Sequence, residues 1–392
     1  MNLDQIKEQA RQIAPTAIEW RRHLHAHPEL SYQEFETSAF VQQKLKEMGI
    51  PFQVMATTGV VGLIEGTDPG SRVIALRADM DALPILEEND LPYKSTKPGI
   101  MHACGHDVHT ACLLGAAKVL QDSRSSWSGT VKLIFQPGEE KNPGGASFMI
   151  RDGALENPRP QAILALHVNT TLDCGLVSFR DGRVMASADE LYFTIRGKGG
   201  HAASPHLAID PILISAHLIT ALQQLVSRYN QPFNPTVLSI TAINGGNTTN
   251  VIPGEVKLMG TFRAMNEEWR FEAHNKLRRL SEELVRSMGG TLDLHIDVGY
   301  PCVHNDGRVN DVARALAESY LGEEQVSETE LRMGAEDFGY YAQLVPACFY
   351  RLGTRNESKG IFSGVHTPSF DVDESAIEIG IGLMACMGAK LT

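Results

Sequence analysis

At 392 residues, 43% hydrophobic and 21% charged, the chain is long enough for two domains that each bury a core of their own. A formal net charge of -12 argues against nucleic acid and anionic membrane surfaces as partners, because both are read by a basic face. No apolar run is long enough to span a bilayer, and Met1-Asn-Leu-Asp-Gln-Ile-Lys-Glu8 lacks the charged-then-apolar pattern of a signal peptide, so a soluble cytoplasmic protein is expected. The six cysteines, at 104, 112, 174, 302, 348 and 386, have no framework spacing and fit reduced thiols. Of these, only Cys104 stands among other potential ligands.

Residues 4–24 read as a helix that closes before Pro28. His23, His25 and His27 stand at alternate positions, which a helix spreads around its circumference, so they are expected to support structure rather than form a metal clip. A second helix is expected from near Tyr32 to Met48, with Phe35, Ala39, Val41, Leu45 and Met48 on one face. The period then changes. Apolar runs at 60–64, 73–76, 131–135 and 162–166 alternate with helix-length segments at 108–120 and 146–151, the pattern of a mixed, mostly parallel sheet covered on both faces.

From residue 186 the character shifts again. A strand at 190–196, a helix from 211 to about 227, strands at 236–243 and 255–263, a helix from 267 to about 288 and a strand at 291–297 follow in β-α-β-β-α-β order. This predicts an inserted α+β (ferredoxin-like) domain with an antiparallel sheet over 187–299. A helix at 309–320, a strand at 347–351 and a helix at 374–387 return to the first domain, which is thereby split into 1–186 and 300–392.

The chemistry concentrates in His102-Ala-Cys104-Gly-His106-Asp107-Val-His109, where Cys104 and His106 offer thiolate and imidazole two residues apart in a glycine-containing turn, a pairing suited to zinc-like cations. Other polar residues follow the strands: Asp79 and Asp81 after 73–76, Glu139-Glu140 after 131–135, and His167 after 162–166. Ligands bind beyond the carboxyl ends of strands in open α/β sheets, so these residues can converge although far apart in sequence. Taken singly, the aspartates could form a turn, the glutamates a solvated loop and His167 a polar strand end. Taken together with Cys104-x-His106 and the late His366, a shared site accounts for them better. Five plausible ligands, Cys104, His106, Glu140, His167 and His366, exceed the three of a single catalytic ion and indicate two ions sharing a bridge. Glu139 is then available as general base and later general acid, while Asp79, Asp81 and Asp107 orient imidazoles. Neither a Gly-x-Ser-x-Gly elbow nor a phosphate-binding loop is present, and Gly197-Lys-Gly-Gly reads as a turn presenting His201.

With these residues in view, a resemblance emerges. Leu76-Arg-Ala-Asp79-Met-Asp81-Ala-Leu-Pro84, the Cys104 stretch, Gln136-Pro-Gly-Glu139-Glu140, Gly199-Gly-His201-Ala-Ala-Ser-Pro205, Met333-Gly-Ala-Glu336-Asp-Phe338 and Val365-His366-Thr-Pro368 resemble the M20 metallopeptidase family. Within it they are most similar to the amidohydrolase branch of hippurate hydrolases, N-acyl-amino-acid amidohydrolases and auxin-conjugate hydrolases. The resemblance implies two divalent cations held by Cys104, His106, Glu140, His167 and His366, with Glu139 as catalytic base. It implies that the inserted domain is a lid that pairs with its twin in a homodimer. It also implies that His201 reaches a neighbouring active site to polarise the scissile carbonyl, and that Asn250 and Arg263 grip the substrate carboxylate. Peptidases of the wider family carry a histidine ligand where this chain has Asp79, and Cys104 replaces a bridging carboxylate. Both departures favour the amidohydrolase branch. The expected reaction is hydrolysis of N-acetyl- or N-benzoyl-type amino acids, with zinc the first candidate ion and manganese, cobalt or nickel the others. A metallo-dipeptidase or aminopeptidase of the same family is the alternative, and a metal-stabilised scaffold is disfavoured by the spare Glu139.

Overall fold

Uninterrupted apolar strands need cover on both faces, and in the computed structural model, which describes residues 1–391, they form one eight-stranded sheet. Its order is Phe52–Met55, Gly59–Glu65, Thr130–Gln136, Val73–Asp79, Ala162–Asp173, Ala347–Arg355, Val177–Phe179 and Val326–Glu328. The central run from Thr130–Gln136 to Ala347–Arg355 is parallel, and antiparallel pairings flank it on both sides. Every residue of Val73–Asp79 and of Thr130–Gln136 is buried, as expected for strands covered on both sides.

Helices Leu3–Ala26, His106–Asp122 and Ala376–Lys390 pack against one another and share one core with the sheet. The first is started by a capping box: the Asn2 side chain accepts from Gln5 N, and the Gln5 side chain accepts from Asn2 N.

The chain divides into two compact units. One comprises 1–184, 304–330 and 337–391; the other comprises Met185–Val303 and Leu331–Glu336. In the second unit the sheet order is Thr236–Asn244, Glu255–Ala264, Asp189–Arg196, Thr291–Val298, with every pairing antiparallel. Leu191, Phe193 and Ile195 alternate inward from Asp189–Arg196 to meet Leu218 of helix Pro211–Leu222 and Leu277 of helix Glu267–Ser287.

Several elements differ from the periodicity reading. The second helix begins at Phe35, not near Tyr32, because Tyr32 has φ +67° and the Glu34 side chain is engaged in hydrogen bonds elsewhere. Helix Pro211–Leu222 ends earlier than expected and is followed by a separate wide turn, Leu225–Tyr229. Strands Phe52–Met55, Val177–Phe179 and Val326–Glu328 are too short for a periodic signal and exist through pairing with long neighbours. Among the described residues no helix is long and apolar enough to cross a membrane.

Candidate metal centre

Strands Val73–Asp79 and Thr130–Gln136 pair in parallel with Asp79 opposite Gln136, so the chain leaves both at the same sheet edge. The departing segments carry Asp81 and Glu139-Glu140. Strand Ala162–Asp173 pairs on the other side of Val73–Asp79 and brings His167. Cys104 and His106 arrive through Gly105, which has φ +84°; a Cβ there would lie 2.6 Å from Val168 Cγ2, so only glycine can set the start of helix His106–Asp122 against the strand bearing His167. His366 is delivered by its backbone, whose N–H donates to Ala103 O at 2.7 Å.

Two of the imidazoles, His106 and His167, have a neighbour that fixes the Nδ1 side of the ring. His106 Nδ1 faces Asp81 Oδ1 at 3.1 Å, leaving Nε2 buried without a hydrogen-bond partner. That nitrogen stands 3.9 Å from Glu140 Oε1, 4.0 Å from Glu139 Oε2 and 3.8 Å from Asp79 Oδ2. His167 Nδ1 donates to Val168 O at 2.8 Å, which turns Nε2 towards Cys104 Sγ, 3.6 Å away. His366 Nε2 is 3.2 Å from Glu140 Oε1. Asp81 also accepts from Glu140 N at 2.9 Å, so one carboxylate orients both a ring and a neighbouring ligand.

The donor set fits two divalent ions. Cys104, His106 and His167 form one group whose ligand atoms lie within 4.8 Å of each other; Cys104, Glu140 and His366 form a second. The two groups share the Cys104 sulfur and together contain all five expected ligands, and the buried, unpartnered His106 Nε2 points at this cluster. A competing group of Asp79, His106 and His109 is consumed internally. His109 Nδ1 donates to Asp79 Oδ1 at 2.6 Å, its Nε2 accepts from Val168 N at 2.9 Å, and Asp79 Oδ2 accepts from Arg77 Nη1 at 2.5 Å. Both ring nitrogens of His109 are thereby engaged and each Asp79 oxygen already accepts a hydrogen bond, so His109 steadies the backbone next to His167.

The electrostatics call for positive charge. Contacts with Cys104 and Glu140 push His366 up to about 10, and although burial opposes charge on His106, Asp79 and Cys104 hold it well above the usual imidazole range. Burial drives His167 well below that range, aided by His109 and Arg351, so it is a neutral ligand already. Burial also pushes the Cys104 thiol up, and a bound cation would displace that proton.

The remaining expected residues lie in the second unit. His201 is exposed on the short strand Gly200–His201, which pairs with Val251–Ile252, and Ala202 N donates to Asn250 O at 3.0 Å; the structure therefore brings His201 and Asn250 together. His201 Nδ1 accepts from Ala203 N at 3.0 Å, so the neutral ring carries its proton on Nε2. Arg263 is separate. It lies near the far end of strand Glu255–Ala264, whose near end follows Val251–Ile252, roughly 27 Å along at the usual strand rise. It is half-buried and donates from Nε to Thr261 Oγ1 at 3.2 Å.

Two supporting sets were not evident in the sequence. Arg21 and His25 are buried on the first helix and contact Asp107 Oδ2 at 2.7 and 2.8 Å, and His25 Nε2 lies 3.2 Å from Glu87 Oε1. Ser31, Tyr32 and Glu34, between the first two helices, contact Asp81 and the Glu139 loop. Alternate spacing at 23, 25 and 27 was the one available signal for His25; nothing local marked the others.

Fold and centre together define a class: a metal-dependent hydrolase built on a mixed α/β sheet, with a five-residue donor set suited to two divalent cations. The chain belongs to the M20 family of peptidases and amidohydrolases, since the model for peptidase family M20/M25/M40 matches residues 75–389. It is 38% identical to thermostable carboxypeptidase 1 of Saccharolobus solfataricus over 395 residues, covering 100% of this chain and 99% of the relative. It is 41% identical to the N-acetyl-L-cysteine deacetylase of Bacillus subtilis over 358 residues, covering 91% and 83% of the two chains. Among solved structures, a Bacillus subtilis protein described as a dinuclear metal binding peptidase from the M20 family superposes with a TM-score of 0.84 at 34% identity, covering 97% of this chain and 98% of that one.

Proposed function

We propose that this enzyme hydrolyses the amide bond of N-acyl amino acids, of the N-acetyl or N-benzoyl type, releasing a carboxylic acid and a free amino acid. The observation that carries the reading is the pair of ligand groups meeting at Cys104, with Glu139, a glutamate neither group requires, 4.0 Å from His106 Nε2. Two divalent ions bound there would supply Lewis acidity to the carbonyl and acidify water; zinc suits the thiolate and imidazoles best, with manganese, cobalt and nickel the other candidates. Glu139 takes the proton of the attacking water and returns it to the departing amine.

The relatives support this bond type. A deacetylase of N-acetyl-L-cysteine cleaves an acyl group from an amino acid. A carboxypeptidase likewise frees an amino acid that carries its own carboxylate, so neither name requires a free amino terminus on the substrate.

The second unit serves in this proposal as a lid and dimerisation domain. His201, with its proton on Nε2, is a donor for the developing oxyanion, and Asn250 and Arg263 are partners for the substrate carboxylate. The long stretch of strand between Arg263 and the His201–Asn250 ribbon prevents one protomer's lid from applying both to a single small substrate. Arg263 from one subunit and the partner's His201 and Asn250 can, so the working unit is a homodimer. Leu207, Ile212 and Leu213, all exposed, give the lid an apolar patch of the kind a twin would cover. Six unpaired cysteines accord with the cytoplasm as its compartment.

The test pairs Glu139→Gln with a substrate panel. The variant should keep its metal and lose on the order of 100- to 10,000-fold in kcat. Wild type should cleave N-acetyl or N-benzoyl amino acids and leave free dipeptides intact. Full turnover by the variant, or dipeptides as the better substrates, would overturn the reading.

A further inference from the structure

The loop 137–144 carries Glu139 and Glu140 and has no regular structure of its own. A residue acting as general base must be held to within a fraction of an ångström, so something outside the loop has to fix it. The candidate lies more than a hundred residues upstream, in the turn Ser31-Tyr32-Gln-Glu34.

Glu34 is fully buried. Its Oε1 accepts from Gly138 N at 2.8 Å, one residue before Glu139, and its Oε2 accepts from Thr58 Oγ1 at 2.8 Å. Tyr32 closes the other end. Its hydroxyl donates to Lys141 O at 2.5 Å and accepts from Gly144 N at 3.1 Å, so it grips both sides of the bend after Glu140. The ring lies directly on Gly138, where φ is +61° and an added Cβ would fall 2.3 Å from Tyr32 Cε1. Ser31 Oγ donates to Asp81 Oδ2 at 2.6 Å, and the same oxygen accepts from Glu140 N at 2.9 Å.

Two further facts separate this arrangement from ordinary packing. Tyr32 itself sits at φ +67°, a region that a bulky residue occupies only when its surroundings impose it, and the backbone is held there by Tyr32 N donating to Glu34 Oε1 at 2.8 Å. Both carboxylate oxygens of Glu34 are used, and one of them accepts from both the turn and the loop. The strained residue and the loop are therefore fixed by the same atom.

We propose that Tyr32 and Glu34 are positioning residues for the reaction: they clamp the segment 138–144 at both ends and thereby set where the Glu139 carboxylate stands. Neither is a catalytic residue, because neither touches a reacting atom. The proposal rests on Glu139 as base. It also predicts a separation of effects, because Glu140 has its own anchor in Asp81 and keeps its place when the clamp is loosened.

The experiment compares Tyr32→Phe, Glu34→Ala and Glu34→Gln with wild type and Glu139→Gln, each loaded with zinc, on a panel of N-acetyl and N-benzoyl amino acids. Metal content and thermal midpoint are measured alongside kcat and KM. Tyr32→Phe and Glu34→Ala should lose on the order of 10- to 100-fold in kcat with KM changed less than about twofold and two ions retained. Glu34→Gln, whose amide oxygen can still accept from Gly138 N, should recover most of the loss. With Glu139→Gln inactive, wild-type kcat in Tyr32→Phe and Glu34→Ala would overturn the clamp. So would losses of kcat that merely track lost metal or lost folding, or a Glu34→Gln variant no better than Glu34→Ala. A fully active Glu139→Gln variant would instead overturn the assignment of the base, whatever the clamp variants do.

Discussion

Asp81 shows how much one side chain settles at this centre. By accepting from Glu140 N and Ser31 Oγ on one oxygen and facing His106 Nδ1 with the other, it selects the His106 tautomer whose Nε2 is free to ligate. His167 reaches the same end through a backbone carbonyl, whereas the main-chain N–H of His366 places its residue without selecting a tautomer. The protonation of His366 has a measurable consequence. Its pKa stands near 10 because Cys104 and Glu140 favour the charged ring, whereas ligation requires the neutral one. Proton and cation compete for the same lone pair, so metal binding at pH 7 should release protons and apparent affinity should rise between pH 6 and 8. Calorimetry of zinc binding in two buffers of different ionisation enthalpy measures that release; a zero or negative proton count would contradict the site's electrostatics.

At the scale of elements, the helix His106–Asp122 is tied to the first helix by a buried ion pair. Arg21 Nε donates to Asp107 Oδ2 at 2.7 Å, His25 shares the same oxygen, and Glu374 approaches Arg21 Nη1 at 3.3 Å. Replacing Arg21 by Met leaves Asp107 buried without its main counter-charge and should cost about 3–5 kcal/mol, read as a lowered midpoint in urea or heat. A variant as stable as wild type would show that the pair is not what holds these helices together. The pH dependence has a definite sign. Burial opposes charge on Asp107, but Arg21 and His25 hold its carboxyl far below the usual range, so its stabilisation is complete above the unfolded value near 3.9 and is lost as pH falls below it.

This contact also marks the limit of what sequence shows. The five candidate donors were legible as a group because cysteine, histidine and glutamate after apolar strands are unusual company, and Gly105 flagged the turn that presents two of them. Arg21 was not legible: beside Arg22 it reads as a solvated helix face, and only the folded chain brings it to Asp107, 86 positions on. Tyr32 and Glu34 escaped for another reason. They bind main-chain N–H and C=O groups of 138–144, and backbone partners leave no trace in residue type.

For the whole molecule, the mixed sheet explains why residues as distant as Cys104 and His366 share a centre: its parallel strands end at one edge, and the connections between them converge there. The candidate donors and their supports lie in a single unit, while His201, Asn250 and Arg263 belong to the other, so the proposed function assigns ion binding and substrate recognition to different units. All of the chemistry proposed depends on the first of these functions. The direct measurement is anomalous diffraction from crystals of the zinc-loaded enzyme, collected on both sides of the zinc edge. Two peaks should appear per subunit, each about 2.0–2.3 Å from its ligand atoms, with Cys104 Sγ within reach of both and His106, Glu140, His167 and His366 completing the set. A single peak, or peaks bound without Cys104, would contradict the account.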